Sequence, residues 1–192
     1  MRRITAIFGM FAVLATVPAV AASDSAEAKH LHVQLVFPQT QLSVSAPNKA
    51  GLYFKLEPGW HVYWVNAGDS GEPPHVKWTL PAGVTAGPLQ FPAPTRLPLG
   101  PLMDFGYEGK LWLLTSLRAP ANAQPGTVLL KAKVSWLVCK EICIPEETQL
   151  TLPLGIGAAP SPSYPDIAAQ FGAARAKSPQ TVRWPSTFAW GP

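Results

Sequence analysis

The chain has 192 residues, 47% of them hydrophobic and 14% charged, with a formal net charge of +4. That balance is too weakly basic to call for nucleic acid or an anionic membrane as partner. The length suits one domain with a tail. Two cysteines are too few to staple a fold that can build its own core, so the pair asks for a specific reason.

The start reads as a secretory signal. Met1-Arg2-Arg3 is followed by an apolar stretch from Ile4 to Val17 and then by the small residues Pro18-Ala19-Val20-Ala21-Ala22. The apolar run is short for a bilayer span of about 20 residues. Arg2-Arg3 lacks the flanking residues of a twin-arginine signal. Residues 1–22 are therefore expected to be cleaved on export, which removes two arginines and no acid and leaves a formal charge of +2. The mature chain then meets an oxidising compartment.

From residue 23 to 155, frequent prolines and glycines cut the chain into short pieces that alternate with period two, the mark of half-buried strands. Strands are expected over residues 30–37, 51–57, 61–66, 75–80, 110–117, 128–138 and 149–152. Turn clusters separate them, including Glu57-Pro58-Gly59, residues 68–74 and Pro81-Ala82-Gly83. Seven or eight such strands without a helical period predict an antiparallel two-sheet β-sandwich, since a single open sheet would leave one apolar face wet. A small closed barrel is the alternative. Trp60, Tyr63, Trp64, Trp78, Trp112 and Trp136 fall in or beside these strands and are expected to fill the core. Residues 102–109 put Phe105 and Tyr107 into a Gly-flanked loop, able to shield a reactive group or to plug the core. Beyond residue 155 the composition becomes that of a linker, followed by one helix over residues 164–177 with Pro165 in its first turn, and a short tail to Pro192.

The chemistry lies in Cys139-Lys140-Glu141-Ile142-Cys143. Extended chain would hold the two cysteines about 13 Å apart, beyond the roughly 4.4–6.8 Å between Cα atoms that a disulfide tolerates. A bridge therefore needs a tight turn or one helical turn, at a strand end near the surface. So small a ring constrains the unfolded chain by only about 2 kcal/mol, against about 4 to 5 for a hundred-residue loop. An incoming thiolate can open it, and the second sulfur is close enough to resolve the mixed disulfide. Three readings stay open on the residues alone: a permanent clamp on a turn, a pair that exchanges with other proteins, and two thiolates holding a soft ion such as Cu(I). His30, His32, His61, His75 and Met103 have no fixed ligand spacing to the cysteines, and each His reads as structural. No Ser-His-Asp motif and no phosphate-cradling glycine loop occurs.

The ordered series of residues 59–74, Trp78 to Gly83, Phe91-Pro92-Ala93-Pro94, Phe105-Gly106-Tyr107-Glu108-Gly109 and Cys139 to Pro145 resembles the N-terminal domain of DsbD-type thiol:disulfide interchange proteins, in the branch known for suppressing copper sensitivity. The resemblance covers about residues 30 to 155. It implies an immunoglobulin-like sandwich in the bacterial periplasm, with Cys139 and Cys143 cycling between dithiol and disulfide and no other cofactor. It further implies a membrane-embedded thiol carrier as electron donor and oxidised thioredoxin-fold periplasmic proteins, such as disulfide isomerases or cytochrome c maturation factors, as clients. Phe105 and Tyr107, with Asp104 beside them, match the cap loop that covers the sulfurs until a partner arrives. Two departures accompany it: the family places more than three residues between its cysteines, and full-length relatives continue into an eight-helix membrane region and a thioredoxin-like domain. The expected function is thus thiol–disulfide exchange. The alternative is a noncatalytic sandwich that binds copper or a partner protein, its disulfide purely structural.

Overall fold

The computed structural model describes residues 23–161 and 164–179; the expected signal peptide and most of the expected tail lie outside them. Among the described residues the strands are β1 (Ser25–Ala28), β2 (Leu31–Val36), β3 (Gln41–Ser43), β4 (Asn48–Leu56), β5 (His61–Gly68) and β6 (His75–Thr79). They continue with β7 (Thr85–Ala86), β8 (Thr95–Leu99), β9 (Leu102–Glu108), β10 (Lys110–Arg118), β11 (Gly126–Cys139) and β12 (Cys143–Gly157), before one helix, α1 (Pro165–Ala176). One sheet has the order β1-β2-β4-β10-β7. The other runs β3-β12-β11-β5-β9-β8, with β6 also paired to β11. Both sheets have free edges, so the fold is a sandwich and not a closed barrel.

Alternation along the strands builds the core. Leu31, Val33 and Leu35 of β2, Leu52, Phe54 and Leu56 of β4, and Leu111 and Leu113 of β10 face Val62, Tyr107, Ala132, Val134, Trp136, Val138 and Leu150 of the other sheet. Each such side chain contributes about 1.5–3 kcal/mol by leaving water. A second cluster around Phe37, Leu42, Leu117, Leu130 and Ile156 closes the far end.

Tyr53 of β4 and Trp112 and Leu114 of β10 point outward, and α1 packs against them. Phe171 and Ala174 pack on Val36 and Leu114, with Tyr53 and Trp112 beside them. Trp112 and Phe171 meet edge to face at 5.1 Å. Gly51 makes the seat: a Cβ there would stand 3.1 Å from both the Phe171 ring and Trp112, so a larger residue would force those rings to shift. Trp112, expected in the core, is therefore part of a second apolar layer beneath the helix. The helix begins with Pro165, whose fixed φ suits the first turn.

Replacing Phe171 with Ala should loosen α1 by about 2 kcal/mol, which hydrogen exchange will read as roughly thirty-fold faster exchange of the helix amides. Amides of β2 and β4 should keep wild-type protection.

Candidate functional site

The β11–β12 hairpin places the cysteines. The two strands pair in unbroken antiparallel register from Gly126↔Ile156 to Cys139↔Cys143, leaving Lys140, Glu141 and Ile142 as the turn. Directly opposed residues on antiparallel strands share a face at about 4.5–5.5 Å. Here the Cα atoms are 4.2 Å apart and the sulfurs are bonded. Turn and register thus supply the tight closure that the spacing demanded. The two sulfurs belong to very different surroundings: Cys139 is 1% exposed, whereas Cys143 is exposed, as is Ile142 before it at 67%.

The other edge of β11 fixes what lies beside them. Cys139 pairs with His61 at the start of β5, so these two side chains stand on one face of the sheet, with Tyr63 two residues further on. Val62 and Trp64 take the opposite face and enter the core. The His61 and Tyr63 rings meet edge to face at 5.2 Å. The Tyr63 hydroxyl lies 3.5 Å from Cys143 Sγ; a disulfide sulfur carries no proton, so the hydroxyl is the donor. Burial pushes the phenol above its ordinary 10.0, a Ser70 hydrogen bond pulls the other way, and the Asp104 charge adds to the rise. It therefore keeps its proton at neutral pH. Sequence reasoning assigned Tyr63 to the core and His61 to a structural role. The available signal was their odd-numbered spacing against the apolar Val62 and Trp64.

Asp104, Phe105 and Tyr107, expected as a loop over the sulfurs, instead lie in strand β9, between β5 and β8. Alternation in β9 divides them. Tyr107 enters the inter-sheet core and donates its hydroxyl to the Pro92 carbonyl at 2.7 Å. Phe105, on the same side as Tyr107, meets Trp64 edge to face at 6.5 Å. Both rings thus point away from the face that carries Cys139.

Asp104 alone of the three is on that face. Fully buried, it accepts hydrogen bonds from the Ser70 amide at 2.8 Å and the Ser70 hydroxyl at 2.7 Å. This clamp holds the segment after β5 over the site. Gly71, at φ 86°, lies so flat on the Tyr63 ring that any Cβ would collide with it. Only glycine combines that φ with that approach. The ring beside Cys143 is therefore that of Tyr63, with Gly71 packed on it and the adjoining Ser70 held by Asp104.

Among the other histidines, His30 sits in the β1–β2 turn, stacked on Trp60 at 3.7 Å, and pairs with Glu57. His32 pairs with Glu27 and His75 with Glu72. Among the described residues no group of three or more His, Cys, Asp or Glu side chains is placed to hold a metal ion.

A β-sandwich carrying one disulfide between cross-strand neighbours, with one sulfur buried and the other accessible, is built like a thiol–disulfide exchange domain. Residues 27–155 match the model of the family described as Thiol:disulfide interchange protein DsbD, N-terminal. The chain belongs to that family. Among solved structures, the N-terminal periplasmic domain of ScsB from Proteus mirabilis superposes with a TM-score of 0.61 at 22% identity, which establishes the shared immunoglobulin-like sandwich fold. The match covers 81% of this chain and 57% of that one, so this chain spans little more than half of that structure's length. The yeast GGA1_GAE domain superposes more loosely, with a TM-score of 0.36 at 14% identity over 67% of this chain and 95% of that one. No curated protein matches the chain.

Two outcomes test the site. Gly71→Ala should displace the Tyr63 ring, cost about 1–3 kcal/mol in chemical denaturation, and let dithiothreitol open the bridge faster than in the wild type. The second concerns His61, which burial pushes below its ordinary 6.5 against the opposing pull of Glu108 and Asp104. A depressed folded-state value means that the unfolded chain binds the proton first. Stability supplied by neutral His61 is therefore complete above about pH 6.5 and is lost as pH falls toward the folded value. Urea denaturation between pH 7 and pH 5 should show a steeper loss in the wild type than in His61→Gln.

Proposed function

We propose that the domain carries electrons in the periplasm, accepting them from a membrane-embedded thiol carrier and passing them to oxidised thioredoxin-fold clients, with Cys143 as the point of exchange in both directions. The observation that carries this reading is the unequal burial of the bonded cysteines, Cys139 at 1% and Cys143 exposed. Family membership supports thiol exchange in general, and the expected signal peptide supports the compartment.

In the accepting direction, a donor thiolate attacks Cys143 Sγ. A donor–Cys143 bond forms, the Cys139–Cys143 bond breaks, and its electron pair leaves on Cys139. The donor's second thiolate then attacks its own bridging sulfur, forming the donor disulfide and freeing Cys143 as thiolate. Delivery runs the same steps backward: Cys143 attacks a client disulfide, and Cys139 then attacks Cys143 to release the reduced client and restore the bridge. The Tyr63 hydroxyl, already aimed at Cys143 Sγ, is placed to donate to the thiolate formed there. Asp104, through Ser70, holds the segment whose Gly71 packs on Tyr63. Ile142, 67% exposed beside the reactive sulfur, offers apolar contact to a docking partner at the moment of attack.

A trapping experiment separates the two sulfurs. Reduced Cys139→Ser, mixed with a thioredoxin-fold protein whose second active-site cysteine is Ser and whose first carries glutathione as a mixed disulfide, should displace glutathione and form a stable mixed disulfide through Cys143, seen as an adduct by intact mass. Cys143→Ser should form it at least about a hundred-fold more slowly, because its one thiol is buried. Equal rates would contradict the assignment of Cys143, and no adduct with either variant would refute exchange altogether. A wild-type reduction potential below about −300 mV would mark the bridge as a structural clamp.

A further inference from the structure

The breaking of the bridge leaves a problem at its hidden end. Cys139 is 1% exposed, and the electron pair of the disulfide arrives on it as a full negative charge. A thiolate formed out of water without a partner costs several kcal/mol, so an unassisted Cys139 would be a poor leaving group. Water has little access to it, and Tyr63 is engaged with the other sulfur.

One neighbour is suited to the task. His61 is the direct cross-strand partner of Cys139, so both side chains rise from one face of the sheet about 5 Å apart at their bases. His61 is itself buried, 8% exposed, yet its Nε2 has no hydrogen-bond partner in the disulfide form. Buried polar atoms are almost always paired, so an orphan asks for a specific reason; the others among the described residues are the indole nitrogens of Trp78 and Trp136, neither of which is the cross-strand partner of a cysteine. A ring nitrogen lacking an acceptor lies on the strand next to a sulfur that becomes a strong, charged acceptor when the bridge opens. The two deficits are complementary.

We propose that His61 is the hydrogen-bond donor to Cys139: its Nε2–H, orphaned while the disulfide is intact, receives the sulfur's charge when the Cys139–Cys143 bond breaks. The inference rests on the exchange reading above and adds a residue to it. No oxidant or reductant is needed beyond the partner dithiol, and neutral imidazole donates a hydrogen bond without giving up its proton. Once the thiolate has formed, its charge favours uptake of a further proton from water by the His61 ring. The ring also faces the carboxylates of Glu108 and Asp104 on β9, and shares a cleft of about 260 Å³ with them, Arg96 and Lys140. The carboxylates favour a cationic ring, and the two cations oppose it. The consequence for the pair is one-sided: stabilising the reduced form makes the bridge easier to reduce, as in disulfide oxidants whose reduced state is favoured.

The chain has only two cysteines, so Cys143→Ser isolates the Cys139 thiol, whose ionisation is read from ultraviolet thiolate absorbance. In that background His61→Phe should raise the Cys139 thiol pKa by about one unit. With both cysteines present, the same substitution should shift the equilibrium with glutathione about tenfold toward the disulfide, a potential about 30 mV more negative. His61→Gln keeps a donor that does not titrate. It should hold the equilibrium within about threefold of wild type while the thiolate titration loses the inflection of the imidazole. Wild-type thiol pKa and equilibrium in His61→Phe would overturn the proposal. So would a His61→Gln titration that keeps the second inflection, a result readable even if His61→Phe does not fold. The Cys143→Ser titration needs no partner protein, so it can support His61 as donor even if wild-type protein exchanges with no client, an outcome that would sink only the exchange reading.

Discussion

The register of β11 governs the reactive end of this protein. On one edge it sets Cys139 opposite Cys143; on the other it sets Cys139 opposite His61. Side chains alternate with period two, so slipping either pairing by one residue would turn Cys139 away from its partner. The apolar row Ala132, Val134, Trp136 and Val138, buried in the core, makes such a slip expensive, because it would trade these side chains for Lys133 and Ser135. Hydrophobic burial along the strand thus fixes the position of a sulfur at its end.

Around that register the sheet separates two environments within a few ångströms. Val62 and Tyr107 point inward and are core, while Tyr63, next to Val62 in sequence, and Asp104, paired with Gly68 beyond the irregularity in β5, point to the sulfur face. There the polar groups depend on one another. Asp104 holds Ser70 by two hydrogen bonds, Ser70 brings Gly71 against Tyr63, and Tyr63 reaches Cys143. A carboxylate that touches neither sulfur therefore shapes access to one of them.

Much of this arrangement was legible in the sequence, and the failures have physical causes. Strands with uninterrupted alternation, such as β4, β10 and β11, stand where the period placed them, and the short Cys spacing required the tight closure that the hairpin provides. Strands β8 and β9 were hidden because Pro98, Gly106 and Gly109 read as turn signals. Pro98 is tolerated because β8 is an edge strand, and Gly106 is needed because a Cβ there would collide with the Val62 carbonyl. His61 and Tyr63 looked like ordinary strand residues because their role comes from contacts with the β11–β12 hairpin, His61 beside Cys139 and Tyr63 against Cys143, eighty residues away in sequence. No local pattern records that contact. The helix was visible through Pro165, but its seat on Gly51 was not, since nothing in β4 announces what will roof it.

That roof makes the molecule two-sided. With Phe171 set into the outer surface of the five-stranded sheet, one flank of the sandwich is closed, and the sulfurs lie on the outward side of the other. The two sheets meet through the core between them and at their edges, where the Thr151 amide donates to the Ser23 carbonyl and the Lys29 amide to the Glu146 carboxylate. The helix rests on Trp112 and Tyr53 of one sheet, whereas Cys139, Cys143 and His61 are spaced by the ladder of the other, so the roof and the reactive pair are built on separate sheets.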